Sequence, residues 1–486
     1  MVYDKISYEK IPTIMKRYSL DSKLAFCVDI SRKFTSPTKP TIESIRNSGV
    51  LPHALEAFFL FSIMHEEYGN KHILEHKGSM VKRIIDSIDS YVTEFVESGN
   101  NDFGTNLLQA FLPTQFKLQD DSTLLTARYY YLFNFKNEKI DMREEFLKYY
   151  EVDYSILAAI HEIFNILFTN DKKYNDIGFS VEVYDKLIKY YWSKGYIKNF
   201  IKTREEYIDF QKYTTKGKIE NYPFCVKTIY QYPFLLDDDR LYLPLPHVLK
   251  NAFTDSLLFR ITDRNPKLKT LFGKEVFESY VYDLFESVKL YDLVEKEPNL
   301  MKGEKLSDVF ISHKDKRVFV ECKTTFPRAG IRIYDIKNEE TEYKSYVDNI
   351  LQVYKCMKKY AMRNRFPIEK CFGVVVNLID NNMRRSEIYK RIRSYDQSLD
   401  EEEVKFIENH IKCLDVYRIE LMCCYSNKGI DEYLYEWSQN ENQRFDYSWN
   451  IQCCKSPKGL LATLNNQTQS NIETFIAELQ TQGVFA

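Results

Sequence analysis

Residues 307–323 read Ser-Asp-Val-Phe-Ile-Ser-His-Lys-Asp-Lys-Arg-Val-Phe-Val-Glu-Cys-Lys, two apolar runs on either side of a polar tetrapeptide. Short apolar runs rich in β-branched and aromatic residues and joined by a polar segment are typical of a β-hairpin. If Ser312 pairs with Arg317 across the turn, counting back along both strands pairs Asp308 with Glu321. The stretch therefore predicts two carboxylates facing each other at one end of a hairpin.

Side chains alternate between the two faces of a strand, so Asp308, Glu321 and Lys323 should share one face. Opposed like charges are destabilising unless something binds between them, and Mg²⁺ is a cation suited to carboxylate oxygens. The alternative is an exposed edge hairpin on which Glu321 and Lys323 are merely solvated. Both strands are otherwise apolar on both faces, a pattern that favours strands covered on two sides.

A third acid is expected from the helix that follows Gly273. Its apolar stripe centres near Phe277, and Glu278 lies about 100° from that centre at the helical angle per residue. Glu275 and Glu286 fall on the far side of the same helix. Helix phasing therefore selects Glu278 as the acid placed to reach inward, against the alternative of an ordinary surface glutamate.

The chain as a whole predicts an α+β, multidomain protein. Apolar residues at helical spacing predict helices at 51–68, 80–96, 122–135, 144–168 and 181–196. Two short strands are expected at 232–236 and 241–244, around a polar turn. From residue 274 the predicted order is helix, strands at 292–296, 306–312 and 317–325, a long helix at 340–362, a buried strand at 371–379, two charged helical segments and a strand at 414–423.

These elements predict four regions. Residues 1–230 form a mainly helical domain for recognition, oligomerisation or partner binding, and residues 231–270 form a connecting hairpin and helix. Residues 271–425 form an α/β domain with a central mixed sheet flanked by helices, and residues 426–486 form a polar, helical extension. His161 in the first region lacks the second histidine of a metalloprotease helix, so a structural histidine is expected.

Composition, charge and hydropathy indicate which class of protein this chain belongs to. Hydrophobic residues make up 44% of the chain and the net charge is −2, typical of a soluble globular protein. The first residues show no signal segment, and the longest apolar stretch, 55–64, is shorter than a bilayer span, so a cytoplasmic protein without membrane contact is expected. Residues 344–393 carry 12 Lys and Arg against four acids. This local excess of positive charge favours binding to the phosphates of a nucleic acid.

These motifs resemble those of the PD-(D/E)xK nuclease superfamily, which includes restriction endonucleases, Mrr-like enzymes and RecB-like nucleases. The resemblance covers roughly residues 270–380 and rests on Gly273, Phe277 and Glu278 on a helix, then Ser307-Asp308, then Glu321-Cys322-Lys323 at the end of the next strand. Ser307 stands where the family's proline is found. In the branches with a glutamine on the following helix, a tyrosine comes four residues later, whereas here Cys356 follows Gln352 at that distance.

The resemblance implies a restriction-endonuclease-like α/β core and a Mg²⁺ cofactor, with Mn²⁺ as a substitute. Asp308 and Glu321 would ligate the metal with the Cys322 carbonyl, and Glu278 would be a ligand or a supporting acid. Lys323 would orient or deprotonate the attacking water. Gln352 is either an accessory residue or an ordinary polar residue of its helix. The candidate contacts with DNA phosphates are Arg328, Arg332, Lys344, Lys355, Lys358 and Lys359.

The resulting hypothesis is a Mg²⁺-dependent endonuclease acting on DNA, with bacterial restriction or phage defence as the setting implied by the resemblance. One alternative is a non-catalytic nucleic-acid-binding or assembly subunit that retains the nuclease fold. Another is an RNA-directed nuclease whose helical half contacts the target. The residues alone leave the oligomeric state, the partner subunit and the role of residues 1–230 open.

Overall fold

The computed structural model describes residues 6–34, 49–64, 72–99, 121–169, 179–301, 304–324, 336–379, 385–439, 454 and 456–485. The fold is α+β, as the sequence predicts, and helices make up most of the described chain. Two compact units are present: Met1–Tyr130 with Arg143–Arg264 and Thr468–Ala486, and Tyr131–Met142 with Asn265–Gln467. The second unit differs in extent from the predicted range 271–425, because it includes residues 131–142 and continues to 467.

The first part of the chain, up to residue 264, is mainly helical. Its α-helices are Ile11–Met15, Leu20–Ser31, Pro52–Met64, Ser79–Glu97, Ser122–Asn134, Met142–Tyr150, Tyr154–Thr169, Val181–Ser193, Arg204–Thr215, Lys227–Gln231, Leu249–Ala252 and Asp255–Arg264. The predicted single helix at 144–168 is wrong, because Glu151 has a φ of 56° and Asp153 accepts a hydrogen bond from the Ser155 amide at 2.9 Å. A residue in the left-handed backbone conformation ends the first helix, and the side-chain carboxylate of Asp153 caps the N-terminus of the second.

A small sheet accompanies these helices. It consists of β1 (Ile201–Thr203), β2 (Phe234–Asp237) and β3 (Arg240–Tyr242), with β1 parallel and β3 antiparallel to β2. The pair of strands around the polar turn is therefore confirmed. All thirteen residues of helix Pro52–Met64 are buried, which fits a helix that is apolar all round. None of the described helices is long and apolar enough to cross a bilayer.

His161 lies on helix Tyr154–Thr169 and is buried, with its Nε2 atom 3.3 Å from the Asn165 side-chain nitrogen. Burial lowers the pKa of this imidazole to about 3, and the positive charge of Lys250 adds to the effect. The neighbouring Glu162 has a pKa raised by burial, and it accepts hydrogen bonds from Thr126 and Asn165. The expectation of a structural histidine thus agrees with its surroundings.

Replacing His161 with asparagine is expected to make the protein less sensitive to acid. The folded state excludes a proton that the unfolded chain binds below pH 6.5, so the contribution of His161 is complete above that pH and is lost as the pH falls towards 3. Relative to wild type, the stability of the variant should rise by about 1.4 kcal/mol per pH unit below 6.5. Melting temperatures of both proteins between pH 5 and 7.5 measure this. Glu162 is common to both proteins, and a constant difference across the range would contradict the prediction.

The second unit is built on a five-stranded mixed sheet. Its strands are β4 (Leu293–Lys296), β7 (Val309–His313), β8 (Lys316–Lys323), β9 (Cys371–Asn377) and β10 (Ile411–Asp415), in the order β10-β9-β8-β7-β4. Strand β7 is antiparallel to both of its neighbours, and the other pairs are parallel. Between β4 and β7 the chain forms a separate two-stranded ladder of β5 (Asn299–Met301) and β6 (Glu304–Lys305). The predicted central mixed sheet is confirmed.

From residue 265 onward the helices are Pro266–Leu271, a π-helical turn Phe272–Phe277, Glu278–Ser287, Ile336–Asn364, Arg385–Tyr395, Glu401–His410, Val416–Cys424, Ile430–Ser438 and Gly459–Thr481. The last of these has residues in both units. We call Glu278–Ser287 the acid helix and Ile336–Asn364 the long helix. One face of the sheet forms a buried cluster with the long helix, which includes Phe310, Phe319 and Val375. Gly373 permits this close packing, because a Cβ atom there would lie 2.4 Å from Val353.

The predicted strand at 414–423 is wrong. Strand β10 ends at Asp415, whose side chain accepts a hydrogen bond from the Arg418 amide at 2.9 Å and caps helix Val416–Cys424. An N-capping aspartate gives the following backbone amides a partner and so favours a helix over a longer strand. The aromatic and β-branched residues after Asp415 therefore lie on a helix.

The turn of the β7–β8 hairpin is held by helix Ile430–Ser438. The His313 imidazole Nδ1 lies 2.9 Å from a carboxylate oxygen of Asp431, and both side chains are buried. Beside this pair, Lys314 and Glu432 form an exposed ion pair at 3.0 Å. Two contacts with the helix therefore hold the turn of the hairpin. One is buried and the other is exposed.

Candidate functional site

The predicted register of the hairpin is confirmed, since Ser312 pairs with Arg317 and Val309 with Val320. Asp308 immediately precedes β7, and its backbone N–H donates to the Val320 carbonyl at 3.1 Å. One of its carboxylate oxygens accepts from the backbone N–H of Cys322 at 2.6 Å. Asp308 is 3% exposed and is therefore fixed against the end of β8 by two hydrogen bonds.

Glu321 and Lys323 lie on the face that the hairpin arithmetic predicts. The Lys323 ammonium donates to Glu321 Oε1 at 2.7 Å, and the Gln352 side-chain nitrogen donates to the same oxygen at 2.7 Å. Burial raises the pKa of Glu321, the charge of Asp308 raises it further, and Lys323 opposes both effects. Lys323 remains about one quarter exposed, so its ammonium is accessible from solvent.

The structure places Gln352 in the site. It projects from the long helix onto the carboxylate that also binds Lys323, which favours the accessory role over that of an ordinary polar residue on a helix surface. The amide can hold Glu321 in one orientation while the lysine contacts it. The absence of a tyrosine four residues later does not prevent this contact.

Glu278 begins the acid helix directly after the π-helical turn. Gly273, inside that turn, lets the backbone approach the residue after Lys323, because a Cβ atom there would lie 3.0 Å from Thr324 Oγ1. Glu278 is buried, and its Oε2 atom has no hydrogen bond to any residue that the structure describes. Burial and then the charge of Asp308 raise the pKa of Glu278 to about 8. Glu278, the acid that helix phasing selected, is thus buried close enough to Asp308 to be affected by its negative charge.

Glu275 is not the exposed residue that its position on the helix suggested. It is buried under the segment Tyr131–Met142, where it accepts hydrogen bonds from Asn137 at 3.1 Å and Lys139 at 2.8 Å. Tyr131 in the same segment donates to Asp283 at 2.5 Å. The helical run that carries Glu278 is therefore held on its outer side by a segment distant in sequence.

Lys305 belongs to the site and was not selected from the sequence. Its ammonium lies 2.5 Å from Asp308, 3.0 Å from Glu297 and 3.7 Å from Glu278 Oε2. Partial burial lowers the pKa of Lys305, but the hydrogen bond to Asp308 and the neighbouring carboxylates raise it above its ordinary value. Its place three residues before Asp308 was the available signal.

The acids of the site carry carboxylate oxygens, the type of ligand that a divalent cation such as Mg²⁺ accepts. In the part of the chain that the structure describes, no group of three or more His, Cys, Asp or Glu side chains is arranged to hold a metal ion. Mg²⁺ commonly uses only one or two carboxylates and retains several waters. Asp308, Glu321 and the Oε2 atom of Glu278, which has no hydrogen bond among the described residues, supply hard oxygen atoms. The buried Cys322 thiol has a pKa raised by burial and by these acids, so it is an unsuitable ligand.

Four of the six predicted phosphate-binding residues lie in the part of the chain that the structure describes. Lys344, Lys355, Lys358 and Lys359 lie on the long helix, whereas Arg328 and Arg332 lie outside the described residues. Lys358 is paired with Glu403 at 2.8 Å. Other cations of the basic segment are paired as well, namely Lys370 with Asp315, Lys390 with Glu387, Arg391 with Glu340 and Arg393 with Glu401. The basic excess of residues 344–393 is therefore partly neutralised by acids, several of them from outside that segment.

No protein-family model, curated protein or solved structure matches this chain significantly.

Proposed function

We propose that this protein is a Mg²⁺-dependent endonuclease that hydrolyses phosphodiester bonds of DNA, with a restriction-endonuclease-like core in its second unit. The observation that carries the proposal is the position of Asp308, Glu321 and Lys323. They lie together at one end of a buried hairpin, where Lys323 contacts Glu321 at 2.7 Å and Asp308 is fixed to the Cys322 amide. Two buried acids beside a partly exposed lysine at a sheet end need a bound partner that offsets their desolvation.

Each residue of the site has its own role in the proposed reaction. Asp308 and Glu321 would hold Mg²⁺, with Glu278 as a further ligand or as a supporting acid. When bound, the metal ion lowers the pKa of water and stabilises charge on the phosphoryl group. Lys323 is partly exposed and can orient a water molecule or donate to a phosphoryl oxygen, where an ammonium stabilises the charge that develops in the transition state. Gln352 keeps Glu321 oriented for both partners.

The substrate assignment depends on charge. Lys344 and Lys355 are exposed on the long helix that also carries Gln352, so cations and site share one element. Lysines contact phosphates without reading sequence. Cleavage of single-stranded RNA in preference to duplex DNA would favour the RNA-directed alternative. A setting in bacterial restriction or phage defence rests on the family resemblance alone.

The test is cleavage of supercoiled plasmid by the full chain in the presence of Mg²⁺ or Mn²⁺. Wild type is expected to nick the plasmid only with the metal, and Asp308→Asn to lower the rate by about 10²-fold or more. Asparagine can still accept the hydrogen bond from the Cys322 amide, so the hairpin end should remain in place.

The matched control is Asp315→Asn, which changes an exposed acid in the turn of the same hairpin, where Asp315 pairs with Lys370. This variant should cleave like wild type. Metal-independent nicking, or equal rates for the two variants, would contradict the proposal. Retained DNA binding without cleavage under any metal would favour the non-catalytic subunit.

A further inference from the structure

Lys305 is positioned by backbone hydrogen bonds of the residues that follow it. The Leu306 N–H donates to the Pro298 carbonyl at 2.9 Å, and the Glu297 N–H donates to the Asp308 carbonyl at 2.8 Å. These two bonds close the base of the β5–β6 excursion, and Leu306 is buried. The lysine is therefore anchored beside Asp308, although 41% of its side chain is exposed.

The ammonium contacts the same carboxylates that a metal ion would need. It is 2.5 Å from Asp308 Oδ1 and 3.7 Å from Glu278 Oε2. A single ammonium leaves the acids incompletely satisfied, because within the described residues Glu278 Oε2 has no hydrogen bond. Buried like charges need a counter-charge, and two cations cannot occupy one short contact with Asp308.

We propose that Lys305 is a tethered counter-cation that holds Asp308, Glu297 and Glu278 together in the metal-free protein and releases Asp308 when a divalent cation binds. This inference rests on the proposed function, because it concerns the same carboxylates. It makes metal binding an exchange of one cation for another. The exchange stabilises the metal-free site and lowers its affinity for metal.

The test compares Lys305→Met with wild type by titration calorimetry with MnCl₂ and by melting temperature, using the full chain. Methionine keeps most of the side-chain volume and removes the charge. The variant is expected to bind Mn²⁺ about three- to fivefold more tightly, the scale of one partly exposed ion pair. Its metal-free melting temperature should be lower, and added Mn²⁺ should raise it by more than in wild type.

Lys274→Met is the matched control. Lys274 approaches Glu297 at 3.7 Å, an ion pair that does not involve Asp308 or Glu278. This variant removes one positive charge from the same neighbourhood, so it should shift Mn²⁺ affinity less than twofold if occupancy of the Asp308 contact is what matters. Equal tightening in both lysine variants would overturn the proposal and assign the effect to the local field.

The remaining outcomes separate this inference from the proposed nuclease. If wild type binds Mn²⁺ and Lys305→Met binds it equally or more weakly, the counter-cation is wrong and the nuclease stands. If only Lys305→Met binds Mn²⁺, the counter-cation is supported and a metal-dependent nuclease is overturned for the natural chain. If neither binds, both proposals are overturned.

Discussion

Lys323→Met is expected to lower the rate of metal-dependent plasmid cleavage by about 10²- to 10³-fold, the usual effect of removing one donor that stabilises a transition state. The ammonium lies 2.7 Å from Glu321 and is the group in the site best placed to act on water or on a phosphoryl oxygen. Glu321 keeps its contact with Gln352 in the variant, so the carboxylate should stay in place. Single-turnover cleavage at saturating Mg²⁺ measures the loss.

The control for this change is Lys314→Met, at the opposite end of the same hairpin. Lys314 is exposed and paired with Glu432, far along the strand from the acids. It should retain the wild-type rate, and both variants should melt within a few degrees of wild type. Wild-type cleavage by Lys323→Met would remove Lys323 from the mechanism, whereas a large fall in melting temperature would assign the loss to folding.

Asp431→Ala is expected to destabilise the second unit by about 3 kcal/mol, since removing one partner of a buried polar pair leaves the other without its contact. Asp431 is fully buried and lies 2.9 Å from His313 at the hairpin turn. Glu432→Ala breaks the neighbouring exposed pair with Lys314 and should cost less than about 0.5 kcal/mol. Denaturant unfolding of the three proteins compares the losses.

A double-mutant cycle of Asp431→Ala with His313→Ala isolates the coupling of the buried pair from the effects of the single changes. A coupling energy above about 1 kcal/mol would support the conclusion that the buried pair holds the hairpin turn against the helix. Equal destabilisation by Asp431→Ala and Glu432→Ala, or zero coupling, would show that the buried contact does not hold the hairpin.

Sequence reasoning succeeded where local rules determine the geometry. The register of β7 and β8 followed from a polar turn and a side-chain period of two, so the shared face of Asp308, Glu321 and Lys323 was predictable. Glu278 followed from helix phasing against an apolar stripe, and its burial agrees. The family to which these residues point stays a prediction.

Other features depended on competing or distant interactions. The strand at 414–423 was wrong because one capping aspartate, Asp415, overrides the β-propensity of the residues after it. The inclusion of Tyr131–Met142 in the second unit depends on contacts with residues more than 130 positions away, such as that of Lys139 with Glu275. No rule based on residue spacing predicts such contacts. Lys305 was overlooked because a lysine in a short polar excursion resembles any surface lysine until its carboxylate neighbours are known.

The π-helical turn at Phe272–Phe277 has a consequence for how this gene can change. Such a turn closes with one residue more than an α-helical turn, so it accommodates one extra residue within a continuous helix. Losing a single codon here would let the turn close as an α-helical turn and leave the acid helix close to its present rotation, whereas the same loss inside the acid helix would rotate the residues after it by about 100°. Descendants of this sequence should therefore tolerate the loss of one residue within 272–277 more readily than within 278–287.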